Sequence, residues 1–222
     1  MPRRSLGLAA WRPQMPGMDL FSATCQQLIH DAEGGIRYWP GVVDAATADA
    51  WFRVLREAVQ WEAQRRAMYD REVAVPRLLA SFRLDALPPE LPLAEIRDAV
   101  CGVVPAAYNA AGLNLYRDGR DSVAMHHDKL RTLVPGAPIA LLSLGAPRRM
   151  NIRARNGGKA LSVELAPGSV LAMSHASQSS HEHGIPKTTR PVGERISVVL
   201  RARPATRMDA GLYGTHWQGP LD

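Results

Sequence analysis

From Ala111 onward the chain is a succession of short β-type runs, and this restricts the fold more than any other feature. "IALLSL" (Ile139 to Leu144) is continuously apolar, as a strand covered on both faces must be. "RMNIRARNGGKALSVEL" holds two alternating runs around Asn156-Gly157-Gly158, a strong hairpin signal. "APG" turns the chain into "SVLAMS", and "ERISVVLRAR" alternates strictly: Ile196, Val198 and Leu200 on one face, Arg195, Ser197, Val199 and Arg201 on the other. Before Ala111 the pattern is helical. "WFRVLREAVQWEA" (Trp51 to Ala63) lines up Trp51, Leu55, Ala58 and Val59, with Asp44 and Thr47 as caps, and "PLAEIRDAVCGVV" lines up Ile96, Val100 and Val103 behind Pro92. Helices followed by a run of strands predict an α+β fold with a sandwich or barrel core.

At 222 residues, with 46% apolar and 22% charged positions, the chain suits one globular domain. The expected division is an arm over 1–28, a domain over 29–205 and a tail over 206–222, with no repeats, and a monomer. Two cysteines, Cys25 and Cys101, are too few for a disulfide framework and fit a reducing cytoplasm. No apolar run reaches membrane-spanning length, and the opening "MPRRSLGLAAW" is too weak for a signal peptide. The net charge of +6 suits a polyanion such as nucleic acid, and equally a surface merely solvated by arginine.

"NLYRDGRDSVAMHHDK" (Asn114 to Lys129) places His126, His127 and Asp128 together in a loop-like stretch, and "SSHEHGIPK" later supplies His181 and His183 as the chain enters a turn before Pro186. Two imidazoles and one carboxylate can occupy one face of an octahedral metal and leave the other positions open, the arrangement of non-haem Fe(II) oxygenases. His126 and Asp128, two apart, share a side of an extended segment, while His127 points away. Zinc would accept the same ligands but would leave Arg195 and Arg201 unexplained. Those arginines, six residues apart, lie on one strand face about 20 Å from end to end. Buried there, they would require carboxylate partners; by period alone the face reads equally as solvated.

Six ordered blocks, "VPR" (75–77), "NLYRDGRDSVAMHHD" (114–128), "IALLSLGAPRRMNIR" (139–153), "APGSVLAMS" (166–174), "HGIPK" (183–187) and "RISVVLR" (195–201), resemble the AlkB Fe(II)/2-oxoglutarate dioxygenases. The resemblance implies a double-stranded β-helix, or jelly roll, with two supporting helices. It implies Fe(II) held by His126, Asp128 and His183, the last preferred to His181 because it directly precedes the "IPK" turn. It also implies 2-oxoglutarate bound by Asn114, Tyr116, Arg195, Ser197 and Arg201, and oxidative demethylation of an N-alkylated base in DNA or RNA. The base would be unstacked into a pocket walled by His126 and Phe82, with His127 nearby. Repair members of the family carry a substrate-reading carboxylate one or two positions after the metal aspartate, where this chain has Lys129 and Leu130. His127, Asp70, Asp85 and Asp118 stand as substitutes. A methylated protein side chain or a small molecule is the rival substrate, and a catalytically silent nucleic-acid-binding module the rival class.

Overall fold

The computed structural model describes residues 24–68 and 71–205. The expected tail (206–222), most of the expected arm and Asp70 lie outside the described residues. Among the described residues twelve strands form two sheets. In chain order they are β1 (Gln26–Ile29), β2 (Ile36–Trp39), β3 (Glu62–Met68), β4 (Arg71–Arg83), β5 (Ala110–Tyr116), β6 (Val123–His126), β7 (Ile139–Gly145), β8 (Arg148–Ala154), β9 (Leu161–Leu165), β10 (Val170–Met173), β11 (His181–Ile185) and β12 (Arg195–Arg201). The larger sheet runs β1-β2-β10-β7-β12-β5-β4-β3 and the smaller β6-β11-β8-β9, with every pairing antiparallel. This is the jelly roll that the resemblance implied.

Strand alternation sorts the apolar residues into two cores. On the larger sheet, Leu113, Leu115, Leu142, Leu144, Ile196, Val198 and Leu200 face outward against α1 (Ala45–Ala58) and α2 (Leu93–Val103). The opposite face of the same strands sends Tyr116, Ile139, Leu141, Leu171, Met173 and Val199 into the gap between the sheets, where they meet Met150, Ile152, Val163, Leu165 and Ile185. The predicted two-sided burial of 139–144 follows from this: every residue of that run is buried. Removing one of these leucines would cost about 2–5 kcal/mol by the usual cavity argument.

The helix α1 is capped as expected: the Asp44 carboxylate accepts from the Ala46 and Thr47 backbone N–H groups at 3.0 Å, and Thr47 Oγ1 donates back at 2.7 Å. It stops at Ala58, five residues short of the expected end, because Val59 turns extended and Glu62 opens β3. The expectation of helices before Ala111 and strands after it fails for β1 to β4. Gln26 and Gln27, assigned to the arm, pair with Tyr38 and Arg37 of β2, and β3 and β4 form a long hairpin at the sheet edge. The arginine-rich β3 has no clean apolar alternation to betray a strand. His183 also lies in a strand rather than a turn.

Candidate active site

The smaller sheet brings the two histidines together. In the β6–β11 pairing His183 is the register partner of His126, and their ring centroids stand 4.4 Å apart. Gly184 permits this close approach: a Cβ there would stand 2.9 Å from Val123 O and 3.0 Å from Met125 N. Asp128 follows the end of β6, so strand alternation does not place it; its backbone N–H donates to Gln178 Oε1 at 2.9 Å, on the short helix α3 (Ser177–Ser180). Ligand atoms of His126, Asp128 and His183 all lie within 4.8 Å of one another, the one group of this kind among the described residues.

The electrostatics suit a cation. His126 Nδ1 lies 3.0 Å from Ala124 O, a geometry that makes Nδ1 the donor and leaves the Nε2 lone pair available. Burial lowers the His126 pKa and, reinforced by the neighbouring His126 charge, lowers that of His183 to about 3. Burial would raise Asp128, but the Arg201 charge and hydrogen bond, with help from the histidines, lower it to about 2. Near neutrality the group is therefore two neutral imidazoles and one carboxylate, the protonation state a divalent metal requires.

Two cavities meet here. The inner one, about 430 Å³ between the sheets, is lined by Asn114, Tyr116, His126, His183, Ser197 and Arg201 among others. The outer groove, about 790 Å³, is lined by Val75, Pro76, His126, His127, Asp128 and Lys129 among others. His126 and Arg201 line both.

Behind Tyr116, which lines the inner cavity, Arg195 is wholly buried, stacked 5.1 Å over the Tyr116 ring, and donates from Nη2 to Ser143 Oγ at 2.9 Å. Its Nε and Nη1 have no partner. A guanidinium left with two orphaned donors in so dry a place lowers its own pKa through desolvation and calls for an anion. Asn114 accepts from Arg77 Nε at 2.7 Å and donates to Ser197 Oγ at 3.4 Å, so these three polar side chains form a chain along the cavity wall. Arg201 crosses Gly112, where a Cβ would stand 3.3 Å from Nη1, and donates from Nε to Asp128 Oδ2.

The chain matches the family model described as the 2OG-Fe(II) oxygenase superfamily over residues 80–201. It is 31% identical to the DNA oxidative demethylase ALKBH2 of Homo sapiens, over 70% of this chain and 69% of that one. The chain belongs to the AlkB family of 2OG-Fe(II) oxygenases. It is also 28% identical to the alpha-ketoglutarate-dependent dioxygenase alkB homolog 3 of Bos taurus, over 80% of this chain and 68% of the relative. The solved structure of OsALKBH1 shares the fold, with a TM-score of 0.56, 15% identity, and coverage of 76% of this chain and 97% of that one. This AlkB-family protein is accordingly an Fe(II)- and 2-oxoglutarate-dependent dioxygenase. The His-Asp-His group fits the metal, and the orphaned Arg195 donors beside a polar cavity fit the dicarboxylate.

The structure corrects the sequence-based site at several points. Phe82 is buried on the helix side of the larger sheet, the face opposite the cavity that Ser81 and Leu79 line, so it is a core residue and no pocket wall. Asp85 pairs with Arg83 and Asp118 with Arg120, and neither lines either cavity. His127 lines the outer groove beside Lys129. His181 is bonded to Ser180 Oγ and stands apart from the metal-type group. Sequence reasoning missed Arg77, Ser143, Gln178 and Arg148. Arg148 is buried and donates to the carbonyls of Asp118, Asp121 and Pro186, tying the loop before β6 to the segment after β11. The "VPR" and "IALLSLGAPRRMNIR" blocks contained three of these residues, Arg77, Ser143 and Arg148, but only the fold shows what they touch.

Proposed function

We propose that this dioxygenase removes N-linked alkyl groups from bases in DNA or RNA, with His126, Asp128 and His183 as the Fe(II) ligands. The observation that carries this reading is the open groove that meets the His-Asp-His group from outside and has Lys129, Lys187 and Arg203 among its walls, a surface suited to a phosphate chain. The name and identity of the human relative, a DNA oxidative demethylase, support it.

Bound Fe(II) with 2-oxoglutarate supplies oxidation of a methyl C–H bond by dioxygen, with the co-substrate decarboxylated to succinate and CO2. The oxidised methyl group leaves as formaldehyde, its hydroxyl proton passing to the base nitrogen where that nitrogen is imide- or amide-type and to solvent where the methylated base was a cation. Arg195 would anchor one carboxylate of the co-substrate, its guanidinium holding an Nε–H and an Nη1–H that no protein group engages. Asn114, Tyr116 and Ser197 hydrogen-bond along the molecule, and Arg201 keeps Asp128 ionised and aimed at the metal. Ala124 O holds the His126 tautomer. The flipped base enters between Val75, Pro76 and the His126 ring, which exclude water from the reacting methyl group.

The domain that does this spans Gln26 to about Ala205. It acts as a monomer in the cytoplasm, where Cys25 and Cys101 remain free thiols. No helix among the described residues is long and apolar enough to cross a membrane. The test is anaerobic Fe(II) and 2-oxoglutarate titration, then succinate and formaldehyde release with methylated single- and double-stranded oligonucleotides and a methylated peptide. Release with oligonucleotides is expected; release with the peptide alone would transfer the activity to a protein substrate.

A further inference from the structure

The outer groove carries two lysines that no carboxylate engages among the described residues. Its described lining includes five cationic side chains, Arg77, Lys129, Lys187, Arg201 and Arg203, and one carboxylate, Asp128. That carboxylate is engaged by Arg201 and belongs to the metal-type group. Lys129 directly follows Asp128, and neither it nor Lys187 has an ion pair or side-chain hydrogen bond among the described residues. His127, beside them, also presents a ring N–H with no hydrogen bond. Among the described residues no aromatic ring but those of His126 and His127 lines the groove; its flat walls are Val75, Pro76, Val123, Ile185 and Pro186. Among the described residues the groove therefore offers donors and positive charge to whatever edge a base presents, and no free side-chain carboxylate for an amine.

N-alkylated bases divide sharply under such a field. Methylation of a pyridine-type ring nitrogen, as at N1 of adenine or N3 of cytosine, fixes a positive charge on the base beside an exocyclic amine. Methylation of an imide- or amide-type nitrogen, as at N3 of thymine or uracil or N1 of guanine, replaces N–H by N–CH3. That leaves the base neutral, with at least one carbonyl oxygen next to the methyl group. A fixed cation next to Lys129 meets like-charge repulsion with no free carboxylate among the described lining residues to offset it or to accept from its amine. A carbonyl-edged neutral base accepts from the Lys129 ammonium or the His127 N–H instead. We infer that the groove selects neutral, carbonyl-edged N-alkylated bases over cationic, amine-edged ones, an inference that rests on the base-demethylation reading above.

The test sets equal amounts of single-stranded oligonucleotides containing 3-methylthymine or 3-methylcytosine in competition before the Fe(II)- and 2-oxoglutarate-loaded protein, with loss of the methyl mass followed for each. A second measurement, fluorescence anisotropy with metal-free protein, compares their affinities without turnover. The expected result is at least tenfold higher kcat/KM for 3-methylthymine and tighter binding of that oligonucleotide. Lys129→Met should narrow both differences, and Lys129→Glu should narrow them further or reverse them. Equal or faster turnover of 3-methylcytosine, or equal affinities, overturns the inference and leaves base demethylation standing. Turnover of a methylated peptide with neither oligonucleotide demethylated overturns the base reading itself.

Discussion

Arg201 Nε donates to Asp128 Oδ2 at 2.5 Å, linking the last residue of β12 to a carboxylate of the metal-type group on the other sheet's loop. Both side chains are mostly buried, at 18% and 13% exposure, so neither can fall back on water if the other is removed. Arg201→Ala should therefore destabilise the protein by about 3–5 kcal/mol in urea unfolding. It should also raise the Asp128 pKa, since burial then acts unopposed, and metal affinity should weaken as the pH is lowered below neutrality. Unchanged stability and an unchanged pH profile of metal binding would show that the pair does not hold Asp128.

Replacing His126, Asp128 or His183 by Ala should abolish 2-oxoglutarate turnover and metal binding, followed by anaerobic Fe(II) titration. His127→Ala and His181→Ala should keep the metal, because neither side chain belongs to the clustered group. Loss of metal in His181→Ala with retention in His183→Ala would reverse the assignment.

Arg195→Ala should weaken 2-oxoglutarate binding by about 2–5 kcal/mol, the cost of removing one partner from a buried charge-assisted pair. Arg195→Lys should recover only part of this, since an ammonium cannot reproduce the fork. Calorimetric titration of the Fe(II)-loaded protein measures it, and equal affinity in Arg195→Ala would exclude the arginine from the site.

The metal-free protein should lose stability as the pH falls. His183 takes its proton at about 3 when folded, against an ordinary value near 6.5 when unfolded. Between those values the unfolded chain binds more protons, so stability rises with pH across the window and falls through it on acidification, by a few kcal/mol. Asp128, lowered to about 2, adds a further loss below its unfolded value of 3.8. Urea midpoints in chelator at pH 7 and pH 5 should differ, and His183→Gln should reduce the difference; an identical difference in that variant would sink the attribution.

Arg148→Met should cost about 2–3 kcal/mol, because three backbone carbonyls lose a charged donor at once. Since those carbonyls bracket the β6 and β11 segments, Fe(II) affinity should fall as well. Arg148→Lys should restore part of the stability. A variant with native Fe(II) affinity would leave Arg148 with a purely structural role.

Strands β7 to β10 and β12 were legible in the sequence because the face or two-sided burial of each residue is a local property of the pattern, whereas β6 and β11, expected as a loop and a turn, were not. The run 139–144 and the arginine face of β12 needed no knowledge of their neighbours. Ordered blocks likewise sufficed to mark His126, Asp128 and His183. The arginine-rich hairpin β3–β4 was not legible, since edge strands are stabilised by pairing with a partner that sequence pattern does not reveal. Phe82 shows the same limit at one residue: an aromatic five positions from Arg77 fits either face of a sheet, and only the register of β4 against β5 sends it to the helices. Ser143 and Gln178 act on Arg195 and Asp128 across chain separations of about fifty residues, and Arg148 on three carbonyls about thirty or more away. The sequence by itself determined which chemical groups this protein owns and the faces on which its strands carry them. Tertiary structure decided which of those groups meet, because hydrogen bonds and burial depend on distance in space, and two sheets folded together bring distant segments of one chain within 3 Å.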